Sequence, residues 1–195
     1  MPGNHDFLYG HKFQQRTRIT LIPDPSLLNI YGFRLLALHG DSLCIHDTKH
    51  QRSRALMHNR FMQRLIYCMP IAIRRRLANK FSHKEIDILS SKKKQQLITI
   101  PADLIHTICH DNHCDTMIHG HTHQPDIHPY QDGNKTYHRV VLGNWTPTSI
   151  WYTQLDDTGE LSLHQCNNQW QMVYNQTIQL GSILDTTPLH SQTAL

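Results

Sequence analysis

Three short apolar runs each end abruptly in glycine and in side chains that can bind a metal or a phosphate. Short apolar runs bounded by turn residues predict buried strands. In an α/β sheet the carboxyl ends of strands converge on a binding site, so we expect an α/β fold with its site at these ends. The three junctions are Leu35–Leu38 before His39, Gly40 and Asp41, Met117–Ile118 before His119 and Gly120, and Val140–Leu142 before Gly143 and Asn144.

Further β-rich runs follow near the C-terminus. Residues 149–155 and 160–166 flank Asp156–Gly159, whose aspartates and glycine favour a hairpin turn. We therefore predict a single domain over residues 1–180. Residues 181–195 are rich in Ser, Thr and Gln, so we predict a disordered tail there.

The stretch from residue 47 to residue 94 differs from the rest of the chain in charge. It holds 13 of the 19 lysines and arginines, and its apolar residues recur at helical spacing. We predict two or three amphipathic helices, inserted at about residues 47–100. This basic insertion could be a solvated face, or it could bind an anionic amphiphile or a membrane surface. Nucleic acid ranks lower, because few aromatic residues interleave with the charges.

The five cysteines are scattered and odd in number, which favours reduced thiols. Cys109, His110, His113 and Cys114 are all zinc-ligand types, but their crowding within six residues argues against a zinc site. The longest uncharged apolar stretch, residues 65–73, is short of the roughly 20 residues that span a bilayer. With no apolar leader at the start of the chain, we expect a cytoplasmic protein.

Three motifs carry the candidate chemistry. Each offers imidazole nitrogens or side-chain oxygens, a mixture that suits manganese, iron or zinc better than calcium. They are Gly3-Asn4-His5-Asp6, His39-Gly40-Asp41 and Gly120-His121-Thr122-His123.

The order of these motifs resembles the UDP-2,3-diacylglucosamine diphosphatases of lipid A biosynthesis, within the calcineurin-like metallophosphoesterases. The resembling blocks, from Gly3 to about Trp145, are NHDFLYG, LHGDSLC, the arginine-rich insertion, IHGHTHQP and RVVLGNW. The resemblance implies an α/β sandwich of two mixed sheets flanked by helices, with a helical lipid-binding insertion. It also implies hydrolysis of a lipid-linked UDP-sugar to UMP and 2,3-diacylglucosamine 1-phosphate (lipid X), with two Mn²⁺ ions, at the cytoplasmic face of the inner membrane.

The same resemblance implies roles for individual residues. Asn4, His39 and His121 would ligate the second metal, and His123 the first. His5 would assist at the phosphate. The substrate would contact Asn4, His5, Asp47, Lys92 and His121.

The chain departs from the family pattern in two ways. His5 stands where the family usually has arginine. The family's Asp-x-His motif and the Gly-Asp motif with the bridging carboxylate are absent, so we expect a segment of the pattern to be missing upstream of Met1. Neither metal site would then be complete, and we expect little activity from these 195 residues alone.

Two other functions fit the residues. The chain could belong to another cytoplasmic metallophosphoesterase acting on a nucleotide or a phosphoprotein. It could also be a non-catalytic module whose basic helices bind anionic lipid. The oligomeric state is not indicated by the sequence.

Overall fold

The structure, a computed structural model, describes residues 1–76, 79 and 99–181. These residues belong to two compact units, one of residues 1–24 and 39–104 and the other of residues 25–38 and 105–195. That the whole is a single domain stays a prediction. Lys92 and the predicted disordered tail after Gly181 lie outside the described residues.

A five-stranded mixed sheet dominates the second unit. Its strand order is β1-β2-β3-β5-β4, with β2, β3 and β5 parallel and the two edge strands antiparallel to their neighbours. Leu38, His119 and Val141 lie side by side at the carboxyl ends of the parallel strands. This arrangement confirms the predicted convergence of strand ends. The strands are β1 (Ser26–Ile30), β2 (Phe33–Leu38), β3 (Thr116–His119), β4 (Asp126–Asp132) and β5 (Lys135–Val141).

A second sheet in the same unit contains β6 (Ile150–Leu155), β7 (Glu160–Cys166) and β8 (Met172–Gln179). The predicted hairpin joins β6 to β7, with Asp156 accepting hydrogen bonds from the backbone of Thr158 and Glu160. We predicted two mixed sheets, but the described part of this sheet is antiparallel throughout. The reason is that short turns connect its consecutive strands, and such turns join only antiparallel neighbours.

The core of the second unit lies between these two sheets. Inward-facing side chains of both sheets pack together there and are almost fully buried. Each such side chain contributes roughly 1.5–3 kcal/mol by leaving water. The set comprises Phe33, Leu35, Ile127, Val140, Leu161, Leu163 and Leu180. Helix α4 (Ala102–Asp111) adds two further buried residues, Ile105 and Cys109.

The first unit is helical. It contains α1 (His11–Thr17), a 3-10 turn (Asp41–Leu43), α2 (Thr48–Met57), α3 (Arg60–Cys68) and helical residues 71–76. Side-chain oxygens cap α2 and α3 at Asp47 and Asn59, which explains where both helices begin.

The prediction of helices in the insertion is confirmed for residues 48–76. The prediction that they are amphipathic is right for α3 and wrong for α2, whose apolar and polar residues are not segregated. Several apolar residues of α3 are exposed to solvent. Phe61 is 75% exposed, and Leu65 and Tyr67 are about half exposed.

All five cysteines are free thiols, and only Cys68, at the end of α3, is exposed. Cys109 and Cys114 are buried, whereas His110 between them is largely exposed. The four zinc-type side chains therefore do not face one centre. Within the described ranges, no helix has the length and apolar character needed to cross a bilayer.

Candidate functional site

The first motif forms a tight turn at the start of the chain. The Asp6 carboxylate accepts a hydrogen bond from the Gly3 amide, and the Tyr9 amide donates to the Asp6 carbonyl at 2.9 Å. Gly3 is buried against His39: a Cβ at this position would lie 2.5 Å from the His39 ring. Only glycine therefore lets the ring approach the turn this closely.

Asn4 and His39 meet side chain to side chain. Asn4 Oδ1 lies 2.9 Å from His39 Nε2, and the backbone amide of His39 donates to Asp24 Oδ1 at 3.0 Å. Burial lowers the pKa of His39, although Asp41 and Asp24 act in the opposite direction. The imidazole is consequently neutral at physiological pH and has a lone pair to offer.

Two carboxylates beside this pair share one arginine. Asp41 is buried, and Arg54 Nε lies 3.0 Å from its Oδ2, although the two groups are not aligned as a hydrogen bond. Arg54 Nη2 also lies 3.3 Å from Asp24 Oδ2. The guanidinium thus compensates a buried charge and fixes the aspartate that holds the His39 backbone. No sequence motif pointed to Asp24 or Arg54, which are 30 residues apart.

A cavity of about 460 Å³ opens in the first unit. Its wall combines apolar side chains, including Phe7, Tyr9 and Leu21, with the charged and polar side chains of Asp24, Arg54, His58, Arg60 and Gln63, of which Arg54 is paired with Asp24. Such a wall suits a ligand that is partly apolar and partly anionic.

In the second unit, the histidine motif forms a strained loop after β3. His121 and His123 both have left-handed backbones, with φ of 63° and 55°. The amide of Thr122 donates to the Gly120 carbonyl at 2.7 Å, which closes a γ-turn around His121. Strained residues of this kind cost about 1–3 kcal/mol each and are concentrated at functional sites.

Buried polar residues lie behind this loop. His119 is 1% exposed, and burial lowers its pKa to about 3. Its Nδ1 lies 2.8 Å from the Gly120 carbonyl and its Nε2 lies 3.2 Å from Arg139 Nη1. Arg139 Nε in turn donates to Tyr130 Oη at 3.0 Å. Sequence reasoning missed Arg139 and Tyr130, because their strands had not been paired.

Other predicted site residues occupy different settings. His5 is exposed at the N-terminal turn. Asp47 caps α2, where its carboxylate accepts from the His50 amide at 2.9 Å, so it has a structural role, and its contact with substrate stays a prediction.

The residues that could hold a metal fit one only in part. Asn4 and neutral His39 bring an amide oxygen and an imidazole nitrogen together, which is a donor pair for a divalent transition metal. In the described part of the chain, no three His, Cys, Asp or Glu side chains cluster closely enough to hold an ion. The four-residue ligand set of Asn4, His39, His121 and His123 stays a prediction.

Comparison with known proteins decides the family. No protein-family model matches the chain. A UDP-2,3-diacylglucosamine hydrolase of Vibrio cholerae is 36% identical over 167 residues, which cover 85% of this chain and 67% of that protein. The chain belongs to the UDP-2,3-diacylglucosamine hydrolase family. This assignment confirms the family resemblance predicted from the sequence motifs.

Other members of the hydrolase family show the same extent of similarity. Those of Photobacterium profundum and Pseudomonas fluorescens are 38% and 34% identical, over 73% and 82% of this chain and 58% and 63% of their own lengths. The chain thus spans about two thirds or less of the relatives it matches. Among solved structures, a Vps29 mutant from Entamoeba histolytica matches 84% of this chain and 64% of its own, at 11% identity and a TM-score of 0.37, too low to bear on fold or function.

Proposed function

We propose that the protein to which this chain belongs hydrolyses the pyrophosphate bond of UDP-2,3-diacylglucosamine, releasing UMP and 2,3-diacylglucosamine 1-phosphate. The reaction would depend on divalent metal, with Mn²⁺ as the proposed ion. It would take place at the cytoplasmic face of the inner membrane. Family membership supports the substrate, and the contact between Asn4 and His39 is the structural observation that carries the chemistry.

In this proposal Asn4 and His39 would hold metal through the Asn4 side-chain oxygen and a ring nitrogen of His39. His121 and His123 supply further imidazole ligands from the loop after β3. When bound, the ions neutralise charge on the phosphoryl oxygens and acidify a water molecule. Asp24 keeps the His39 backbone in place, and burial keeps its ring unprotonated, so that the lone pair is available.

His5 would contact the phosphate. It lies on the exposed side of the N-terminal turn, next to Asn4, and an imidazole can donate a hydrogen bond to a phosphoryl oxygen in either protonation state. An arginine at this position would carry a permanent charge. We therefore propose that His5 binds phosphate more weakly than arginine, and that His5→Arg lowers KM.

The lipid half of the substrate would be bound by the helical insertion. The cavity beside α2 and α3 combines apolar walls with the basic side chain of Arg60, which matches acyl chains attached to a sugar phosphate. The outward-facing Phe61, Leu65 and Tyr67 of α3 offer additional apolar surface to acyl chains or to the membrane.

A hydrolysis assay tests the activity. The 195-residue chain and a fusion of it to the unmatched part of the Vibrio cholerae relative would be incubated with UDP-2,3-diacylglucosamine and Mn²⁺, and released UMP measured. We expect metal-dependent release by the fusion and little by the chain alone. Hydrolysis of simple nucleotides in preference to the lipid substrate would favour another phosphoesterase, and lipid binding without hydrolysis by the fusion would favour a binding module.

Liposome pelleting tests the membrane part of the proposal. Replacing Arg74, Arg75 and Arg76 with Gln should weaken binding to anionic vesicles by roughly 1 kcal/mol per residue, and less at higher salt. The matched control replaces three exposed basic residues near α1, Lys12, Arg16 and Arg18, and removes the same charge. Equal losses in the two triple variants would show that only net charge matters.

A further inference from the structure

A continuous chain of hydrogen bonds leads from strand β4 to the strained loop. Tyr130 on β4 accepts from Arg139 on β5 at 3.0 Å, Arg139 contacts His119 at the end of β3 at 3.2 Å, and His119 contacts Gly120 at 2.8 Å. We propose that Tyr130, Arg139 and His119 form a positioning relay that fixes the γ-turn presenting His121. The proposal rests on the proposed function in that it treats His121 as a metal ligand.

The two contacts of the His119 ring require the same tautomer. A carbonyl oxygen can only accept, so Nδ1 must carry the proton that it donates to Gly120. Nε2 then has a lone pair, and the Arg139 guanidinium can only donate to it. Arg139 therefore favours the tautomer in which His119 donates a hydrogen bond to the loop. Groups that lie behind metal ligands fix the orientation of their rings in the same way.

His119 donates its hydrogen bond to the same carbonyl that closes the γ-turn. Gly120 O accepts from Thr122 N at 2.7 Å as well as from the His119 ring. A γ-turn with positive φ at its centre is strained and persists only where surrounding contacts hold it. The His119 ring supplies such a contact from the buried side. It acts at Gly120, immediately before His121, whose imidazole would face the metal.

Arg139 is itself immobilised. Tyr130 holds its Nε, and its guanidinium lies 5.9 Å from the Tyr130 ring centre. Met117 on β3 is its partner across the sheet, and the next residue on the same side of β3 is His119. The strand pairing thus delivers the guanidinium to the imidazole, so the relay follows from the register of β3, β4 and β5.

Two substitutions of His119 separate its two contacts. His119→Asn keeps a donor near the Nδ1 position but loses the acceptor for Arg139, whereas His119→Gln keeps a polar group near Nε2 and loses the donor to Gly120. Tyr130→Phe removes only the hydroxyl that holds Arg139. His138→Gln, next to Arg139 on β5 but with its side chain on the other face of the sheet, is the matched control.

The first readout is the loop itself, measured by NMR on the 195-residue chain without metal. We expect the neutral Nδ1–H tautomer for His119, and faster exchange of the Thr122 amide, by at least about 10-fold in His119→Gln and less in His119→Asn and Tyr130→Phe. An unchanged rate in His119→Gln, an equal change in the control, or an Nε2–H tautomer would overturn the relay. If His119→Gln does not fold, Tyr130→Phe decides: it must speed Thr122 exchange relative to His138→Gln.

The second readout is line broadening of the His121 ring signals by Mn²⁺ alone. We expect the half-broadening concentration to rise about 10–100-fold in His119→Gln, the range found for groups behind metal ligands. If Mn²⁺ does not broaden the His121 signals of the wild-type chain but the Thr122 exchange rates are as expected, the metal role of His121 is refuted and the relay is supported. Intact Mn²⁺ binding with an unchanged Thr122 amide would refute the relay alone.

Discussion

The two histidine loops that follow β2 and β3 differ in how they position their histidine side chains. After β2, Gly40 adopts φ of 110°, so His39 keeps an ordinary backbone and is placed by Asn4 and Asp24. After β3, Gly120 does not have a positive φ, and His121 and His123 themselves take the left-handed conformation. In the first loop side-chain neighbours position the proposed metal ligand, and in the second loop a strained backbone positions it.

This difference has a practical consequence for mutational analysis. Changes around His39 should act through the N-terminal turn and Asp24, which contact it, and through Arg54 of α2, which holds Asp24. Changes around His121 should act through the backbone of its own loop and the groups buried behind it. The predictions below test that contrast, beginning with the substitutions that remove a ligand from either loop.

Loss of either ligand should have the largest effect. In the fusion protein, His39→Ala and His121→Ala should each lower kcat by more than about 100-fold, because loss of groups behind a ligand already costs 10–100-fold. UMP release measures the effect, and His46→Ala, an exposed histidine near the first loop, is the control. Near-normal turnover by one variant only would mean that the corresponding loop does not bind metal.

The loop after β2 should depend on the arginine of α2. Arg54→Met leaves the buried Asp41 carboxylate uncompensated, and we expect the free energy of unfolding to fall by about 3 kcal/mol. Arg52→Met, on the exposed side of the same helix, should change it by less than about 0.5 kcal/mol. Urea unfolding of the two variants measures the difference, and equal values would contradict a supporting role for Arg54.

The loop after β3 should be sensitive to acid. The pKa of His119 is 6.5 in the unfolded state and about 3 in the folded state. Below pH 6.5 the unfolded state therefore binds a proton at His119, whereas the folded state does not. Its contribution to stability is complete above pH 6.5 and is lost as the pH falls towards 3. From pH 7.5 to pH 5 the loss should be about 2 kcal/mol, measured by urea unfolding.

His119→Asn provides the control for the acid experiment. This variant lacks the titrating imidazole, so its unfolding free energy should vary with pH by about 2 kcal/mol less than that of the wild type. Burial also lowers the pKa of His128 and His138, so a residual slope of the same sign should remain. Identical slopes in the variant and the wild type would contradict the assignment to His119.

The smallest expected effect concerns the packing of the first loop. Gly3→Ala would place a methyl group 2.5 Å from the His39 ring, which must then move away from Asn4. We expect about a 10-fold loss of Mn²⁺ affinity in the fusion protein, measured by calorimetry. Gly10→Ala, whose added carbon would have its nearest contact at 3.6 Å from Tyr67 Oη, should leave the affinity unchanged.

Sequence reasoning was most successful where the local pattern determines the structure. Apolar runs or turn residues predict β2, β3, β5 and the β6–β7 hairpin. The edge strands β1, β4 and β8 were missed. β4 contains Pro129 and β8 has a polar segment from Asn175 to Thr177, and both are tolerated because an edge strand has one unpaired side. Their sequences therefore resemble loops.

Within the candidate site, the motifs identified the ligand-type residues but not what holds them. Asn4 and His39 are 35 residues apart, and their contact was expected from the resemblance to the family. Asp24, Arg54 and Arg139 belong to no motif, since their roles arise from which strands and helices become neighbours. Long-range pairing of this kind leaves no trace in local periodicity.

The exposed thiol at the end of α3 makes the insertion accessible to spectroscopy. Cys68 is the one cysteine of the five that is open to solvent, so a maleimide fluorophore should attach there without any engineered substitution. The dye would stand one residue beyond Tyr67, beside the outward-facing aromatic residues of the helix. Its emission colour and its quenching by brominated lipids would report how deeply this part of the native chain enters a bilayer.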